Sequence, residues 1–518
     1  MGSTFVRQRL GLLGLGLCLI LGVGLRLYGL GDKLLWHDEL ATRVFAAGYT
    51  VDEWQRALYD GRIFDVAEAL HFQRHNPDRS VADGIRGLAE DDPQHPPLYY
   101  VLTRIWVGIF GDDLATLRAL SALFGILTLF SVYWWAQELF RDRAAAGTSV
   151  ALLAASPFFV LYAQEAREYA LWALWTSLSS ACLLMAIRTQ RTWAWALYSL
   201  LTVLSLYTSF SSASVILAHI TFLLWRERLR PTTPVAKASF LSMAATALAF
   251  LPWGYNLSQQ WDAFQITMRW SREIIIPKEA LLRILGQNVS RTIVDFWPEL
   301  TTPLSFVVMG LAVALVLVAW VQLLRRAPPE KALLLLLFVV PIGVLLGPDL
   351  IFGGIRSISM RYLTPAWLAV ILALGFLLST PAPAWRVVRG LVLVVSLASA
   401  ALNAQQQVVW TKATSVLLPE VAARINAEPR ALLVGNRERH SAGNLMALSV
   451  LLKPGTQLQW LDAPKEKAWV MPKDVGTIFL FNPIPDYRVA MEAREQVRTK
   501  LLLEDHFTQL WVIEPGAH

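Results

Sequence analysis

Apolar runs of about 17 to 25 residues, the length that crosses ~30 Å of hydrocarbon, recur along this chain as far as residue 403. That recurrence limits the fold more than any other feature. Eleven runs are readable, at 9–30, 116–139, 145–163, 169–187, 192–209, 211–225, 237–254, 302–324, 332–348, 362–380 and 387–403. Backbone groups in lipid must be satisfied internally, and strand-length alternation is missing, so the runs predict helices rather than barrel strands. The expected class is an all-α polytopic membrane protein with about eleven transmembrane helices. A 55% hydrophobic and 16% charged composition, with mean hydropathy +0.45, excludes an ordinary soluble enzyme. The first run follows Arg7 and Arg9 as a signal peptide would, but it lacks a small-residue cleavage site and is long enough to span.

Short basic loops set the expected orientation. Arg141 and Arg143, Arg188 and Arg191, Arg226 to Arg230, Arg325 to Lys331, and Arg386 with Arg389 all fall on one side if the N-terminus is cytoplasmic. Eleven crossings then leave the C-terminus outside the plasma (inner) membrane. The run "PLYYVLTRIWVGIF", residues 97–110, is short for a crossing and reads as an interfacial helix. The net charge of +7 is absorbed by these loops, and with no basic stripe outside the membrane no nucleic-acid partner is expected. Cys18 and Cys182 both fall within predicted helices, which leaves no disulfide framework.

Three long segments share the outer face: 31–115, 255–301 and the tail 405–518. Residues 1–404 form the expected membrane domain, including the first two. In the tail, "RALLVGN", "QLQWLDA", "GTIFLF" and "TQLWVIEP" read as strands. "NLMALSVLLK" and "MEAREQVRTKLLLE" read as helices, so the tail predicts a small extracytoplasmic α/β domain.

The outer face also carries unusual charge. "LWHDEL", residues 35–40, opens the first long loop with His37, Asp38 and Glu39, and "DPQHPPLYYVL" closes it with His95. "SPFFVLYAQEAREYALW" brings Glu165, Arg167, Glu168 and Tyr169, and "GIRSISMRYLTPAW" brings Arg356, Arg361 and Tyr362. Each has a plainer reading: a solvated turn for 165–168, a snorkelling anchor for Arg361 and Tyr362, a helix cap for His95. His71 and His75, at i and i+4, lack a third metal ligand nearby. Taken together, carboxylates and arginines at the outer helix ends predict a site at the water–lipid boundary, suited to a substrate that is part lipid and part polar.

These motifs resemble the ordered motifs of the GT-C membrane glycosyltransferases of the family 39 type, the group of protein mannosyltransferase-like and aminoarabinose transferase-like enzymes. The resemblance implies a GT-C fold and transfer of a sugar from a polyprenyl-phosphate donor to a lipid, glycan or protein acceptor, with inversion. It puts Asp38 at the catalytic acidic position with Glu39 beside it, Glu165 at a second acidic position, and Arg361 at a basic position suited to the donor phosphate. His95 stands where some relatives have a lysine. Arg167, Tyr169, Arg356 and Tyr362 join the expected substrate-binding set. No certain cofactor is implied, and a divalent metal ion is left open, with Glu39 either orienting a partner or holding it.

The chemistry suits these roles. A glycosyl phosphate already carries a stable leaving group, so the reaction needs charge stabilisation as the phosphate departs and a base for the acceptor hydroxyl, for which Asp38 is the candidate. If residues 164–170 continue a helix, Glu165, Glu168 and Tyr169 share a face and Arg167 points away. A lipid flippase or secondary transporter is the main alternative, and predicts midplane charges and repeat symmetry that the chain lacks. A structural protein with a partner-binding tail would leave the four motifs unexplained.

Overall fold

The computed structural model describes residues 2–296, 302–438, 441–472 and 474–514. The end of the expected 255–301 loop, from 297 on, lies outside the described residues. Two compact units emerge.

The first unit comprises Met1–Gly31, Asp92–Tyr99 and Ala115–Gln406. A helix covers each of the eleven apolar runs: Gly2–Leu27, Leu114–Phe140, Arg143–Ala155 with Pro157–Ala163, Tyr169–Thr189, Thr192–Thr208, Ser212–Arg226, Pro234–Gln259, Pro303–Arg326, Lys331–Phe352, Thr364–Leu378 and Pro383–Gln405. Seven helices among the described residues are long and apolar enough to cross a membrane alone, or eight if the bent pair around Ser156 is one span. The remaining runs carry helices that are shorter than a full crossing or only partly described. Ser212–Arg226, for instance, has only 15 residues, or about 22 Å at 1.5 Å per residue. Pro157 opens the second half of the bent pair, where its missing N–H and fixed φ break the ladder and turn the axis by 60°.

Two glycines permit close helix contacts. A Cβ at Gly22 would lie 2.3 Å from the Ala154 carbonyl oxygen, and one at Gly375 would collide with Ser149, the small-residue packing that membrane helices favour. Arg26, buried beside the first contact, donates to the carbonyls of Gly22, Leu153 and Ala154 at 2.8–2.9 Å. The helices Tyr169–Thr189 and Met360–Leu378 are the most enclosed, whereas Pro234–Gln259 turns Phe240, Leu248 and Leu251 outward as lipid-type surface.

The second unit comprises Asp32–Asp91, Tyr100–Leu114 and Gln407–His518. It is larger than the expected 405–518 domain, because most of the first long loop folds with the tail. Its strands are β1 Ile63–Asp65, β2 Ala431–Asn436, β3 Gln457–Leu461, β4 Thr477–Phe481, β5 Arg498–Glu504 and β6 Gln509–Glu514, in the order β1-β3-β2-β4-β6-β5. β3, β2 and β4 run parallel, and β1, β6 and β5 add antiparallel edges. The parallel centre has near-continuous apolar burial, as a sheet covered on both faces requires. Trp460, Phe479, Leu445 and Val421 from the tail share one core with Leu40, Val44, Trp54 and Phe64 from the loop, which is the physical reason the two segments form one unit.

The stretch "MEAREQVRTKLLLE" divides. Helix Pro485–Glu495 ends at Gln496 in the left-handed conformation, and β5 follows, so the helical reading of its second half is corrected. The short helix at Leu98–Phe110 is present, with Ile105, Ile109 and Phe110 exposed.

Candidate active site

Within the first unit, the segment before Leu98, the break at 164–168 and the loop at 353–363 converge on a cavity of about 250 Å³. His95, Glu168, Arg272, Arg356 and Tyr362 line it with the apolar Phe210, Phe264 and Met268. The chain does not stay helical through 164–168: helix Pro157–Ala163 ends at Gln164, whose amide donates to the Leu25 and Tyr28 carbonyls. The expected helical face is thus corrected. Arg167 does not point away from Glu168, and both reach His95.

Glu168 Oε1 lies 3.2 Å from His95 Nδ1, and Arg167 Nε lies 3.2 Å from Glu168 Oε2. Arg167 Nη2 stands 3.2 Å from His95 Nε2, and Asp92 Oδ2 lies 3.8 Å from the same nitrogen. A neutral ring fits this arrangement, with Nδ1–H donating to Glu168 and Nε2 accepting from Arg167. Burial opposes ionisation of Glu168, yet Arg167 and His95 outweigh it and hold the carboxyl at about 2. Burial also presses His95 toward neutrality, but Asp92 and Glu168 outweigh it and raise the imidazole above its ordinary value. Asp92 is itself raised by burial, with His95 only partly offsetting. A second proton on His95 would turn Nε2–H toward Asp92 and free Arg167 Nη2 from that contact.

The loop that carries the arginines is pinned from below. Asp349, fully buried, accepts from Arg356 Nη1 at 2.7 Å and from the backbone N–H and hydroxyl of Ser357 at 2.8 Å each. Gly354, at φ +119°, allows the turn: a Cβ there would meet Arg356 and the Ser271 carbonyl. Arg361 packs over the Tyr169 and Tyr362 rings, 5.8 and 5.3 Å from their centroids. Tyr362 reaches the cavity itself. Glu165 is completely buried, and its carbonyl accepts from the Arg167 amide.

Asp38 and Glu39 belong to the second unit, in the first turn of helix His37–Ala47, where the helix dipole favours negative charge. His37 Nε2 sits 2.8 Å from Asp38 Oδ1, and the Thr414 hydroxyl holds His37 Nδ1 at 2.9 Å. Asp38 remains 15% exposed on its side chain. Glu39 is fully buried and ion-paired with Lys412 at 2.9 Å, and Lys412 also donates to the Leu34 carbonyl. Among the described residues no three His, Cys, Asp or Glu side chains converge to hold a metal ion.

Arg272, Asp349 and Asp92 were invisible to sequence reasoning as site residues. Arg272 sits outside every apolar run and motif, and Asp349 immediately follows the run 332–348, next to Pro348. That lone carboxylate at the end of an apolar run was a signal.

With the fold and these sites in view, the class of architecture is clear. The chain aligns with the crystal structure of ArnT from Cupriavidus metallidurans bound to undecaprenyl phosphate over 97% of both chains, with a TM-score of 0.56 and 13% identity. The chain thus shares the fold of that structure, the expected GT-C fold. The family described as dolichyl-phosphate-mannose-protein mannosyltransferase matches residues 94–255. A curated relative, the undecaprenyl phosphate-alpha-4-amino-4-deoxy-L-arabinose arabinosyl transferase of Pseudomonas savastanoi pv. phaseolicola (strain 1448A / Race 6), is 25% identical over 258 residues, which is 49% of this chain. The match spans 46% of that relative's length.

Proposed function

We propose that this protein is a membrane glycosyltransferase that moves a sugar from a polyprenyl-phosphate donor to an acceptor hydroxyl on a lipid, glycan or protein. The cavity beside His95 carries this reading. Its apolar side suits the reduced carbon of a polyprenyl chain, and its cationic side suits a phosphate. The names of the matched family and relative, a dolichyl-phosphate-mannose mannosyltransferase and an undecaprenyl-phosphate aminoarabinose transferase, support the donor class.

In this reading the bond between the anomeric carbon and the phosphate oxygen breaks, and its electron pair leaves with the phosphate. Arg272, Arg356 and protonated His95 stabilise the departing charge, and Arg361 contributes from beside the tyrosine rings. The acceptor oxygen forms the new bond to the anomeric carbon from the opposite face, which inverts it, and its proton passes to Asp38. Glu39, held by Lys412, and Glu165, enclosed in the first unit, serve as positioning residues. The site faces outward in the plasma (inner) membrane, with a cytoplasmic N-terminus and an extracytoplasmic tail, as the basic loops argue.

The test is sugar transfer by the purified full chain in lipid nanodiscs, with a panel of radiolabelled polyprenyl-phosphate sugars and host membrane extract as acceptor. Transfer by the wild type that falls at least tenfold in Arg272→Ala supports the reading. Tight donor binding without transfer from any donor overturns it in favour of a lipid flippase.

A further inference from the structure

A second cavity, of about 530 Å³, lies apart from the residues of the candidate active site, where helix Ser212–Arg226 turns into Pro234–Gln259. That volume falls within the roughly 300–1,000 Å³ of small-molecule sites. Its wall is apolar: Leu223, Leu224, Leu229, Phe240 and Met243 line it. Its rim carries Arg230 and Lys237, both exposed, and neither has an ion-pair partner among the described residues. The rim carboxylate, Glu227, is already engaged, since Arg226 pairs with it and the Thr233 hydroxyl donates to it at 2.7 Å. The net charge offered to a ligand is therefore positive.

The turn is built at a cost. Arg228 and Leu229 both sit in the left-handed region, at φ 52° and 57°, without being glycines. The bonds from Leu229 N to Leu224 O and from Arg228 N to Trp225 O hold them there. The result turns Leu229 outward, 74% exposed, at the groove. A plain lipid-facing helix pair needs neither the concavity nor the left-handed pair.

We infer that this groove is a binding site for one anionic phospholipid, with an acyl chain along the Leu224, Phe240 and Met243 wall and the phosphate between Arg230 and Lys237. The membrane supplies the occupant, and the charge complementarity selects its headgroup over a zwitterionic one. The site is built entirely from the first unit and is independent of the sugar-transfer reading. An anionic lipid seated there braces the junction of two membrane helices.

Native mass spectrometry of the full chain released from mild detergent tests this, with phosphatidylglycerol and phosphatidylcholine titrated in competition. Each cation near a membrane surface contributes about fivefold in affinity for an anionic headgroup. For the tightest bound lipid, Arg230→Gln with Lys237→Gln should lower the phosphatidylglycerol preference by about 30-fold, and each single change by about fivefold. Phe240→Trp, which keeps the charges and fills the groove, should lower occupancy by both lipids. Arg325→Gln with Arg326→Gln, at another basic helix end, serves as the control and should leave the tight site unchanged. An equal affinity of the wild type for both lipids overturns the inference, as does a loss in the double variant no larger than in the control. Masses of a dimer that vanish in the double variant would also overturn it, by assigning the groove to a second copy of the chain.

Discussion

Each unit holds a histidine against a carboxylate with a buried ion pair nearby, yet the two are built differently. In the second unit Glu39 and Lys412 form an ion pair sealed from solvent, and the neighbouring Asp38 stays partly exposed beside His37. In the first unit Asp92, His95, Arg167 and Glu168 share too few protons among too many contacts, and the cluster opens on a cavity. A sealed ion pair of opposite charges fixes geometry. A cluster with competing partners has more than one protonation state within reach, which is the property a reaction uses.

The contrast can be broken most sharply at Asp38. Asp38→Asn should cut transfer by about a hundredfold to ten-thousandfold, the usual worth of a general base, with an unchanged melting temperature. Equal turnover would move the base elsewhere. One residue on, Glu39→Gln should act on stability instead. It leaves Lys412 buried without its counter-charge, a loss of about 3–5 kcal/mol, seen as a lower melting temperature in nanodiscs. Activity per folded molecule should fall far less than in Asp38→Asn, as suits a positioning residue, and if it falls as far while the melt is unchanged, Glu39 is part of the chemistry.

In the first unit the expected signature is a pH profile. His95 is raised above its ordinary value of about 6.5. Its cationic form, and whatever it contributes, is therefore fully present below that pH and is lost as pH rises through the higher folded value. Glu168, held at about 2, stays ionised throughout. Transfer should fall along a basic limb above pH 6.5, and His95→Ala should lower the rate about tenfold and abolish that limb. A limb that persists in His95→Ala assigns it to another group. The smallest effect belongs to Ser357→Ala, which removes one of the bonds to Asp349 and leaves the Arg356 and backbone bonds. About 1 kcal/mol of stability should go, read in the same melt, and a loss of several kcal/mol would show that the hydroxyl alone pins the arginine loop.

The membrane helices were legible because a hydrocarbon-length apolar run has few other solutions, and all eleven runs carry a helix. Their lengths were less legible, since run boundaries do not reveal a break such as the one at Ser156 and Pro157. The parallel strands read from short apolar runs bounded by turn residues, whereas "RTKLLLE" carries helix formers and becomes an edge strand only because β6 pairs with it. The three residues of β1 are too few for any local signal. Around the cavity, His95, Glu168, Arg356 and Tyr362 come from segments that the sequence itself singles out. Residues recruited through space do not: Lys412 reaches Glu39 across 373 residues of chain, and Arg272 and Asp349 join the cavity loop from separate segments.

The sheet places a constraint on the order of events during synthesis. Gly61 at the β1 edge accepts from Gln459 of β3, its partner 398 residues later in the chain. Residues 32–91 therefore emerge from the ribosome long before the strands they pair with, and wait while every membrane helix after the first is made. A chain stopped before Gln407 can complete those helices and still lack Leu418, Leu445 and Trp460, the core against which Leu40 and Val44 of the Asp38 helix pack. Such a truncated protein would reach the membrane with its candidate base on an unfolded segment, so the last part of the chain to be made decides when the first acidic motif becomes ordered.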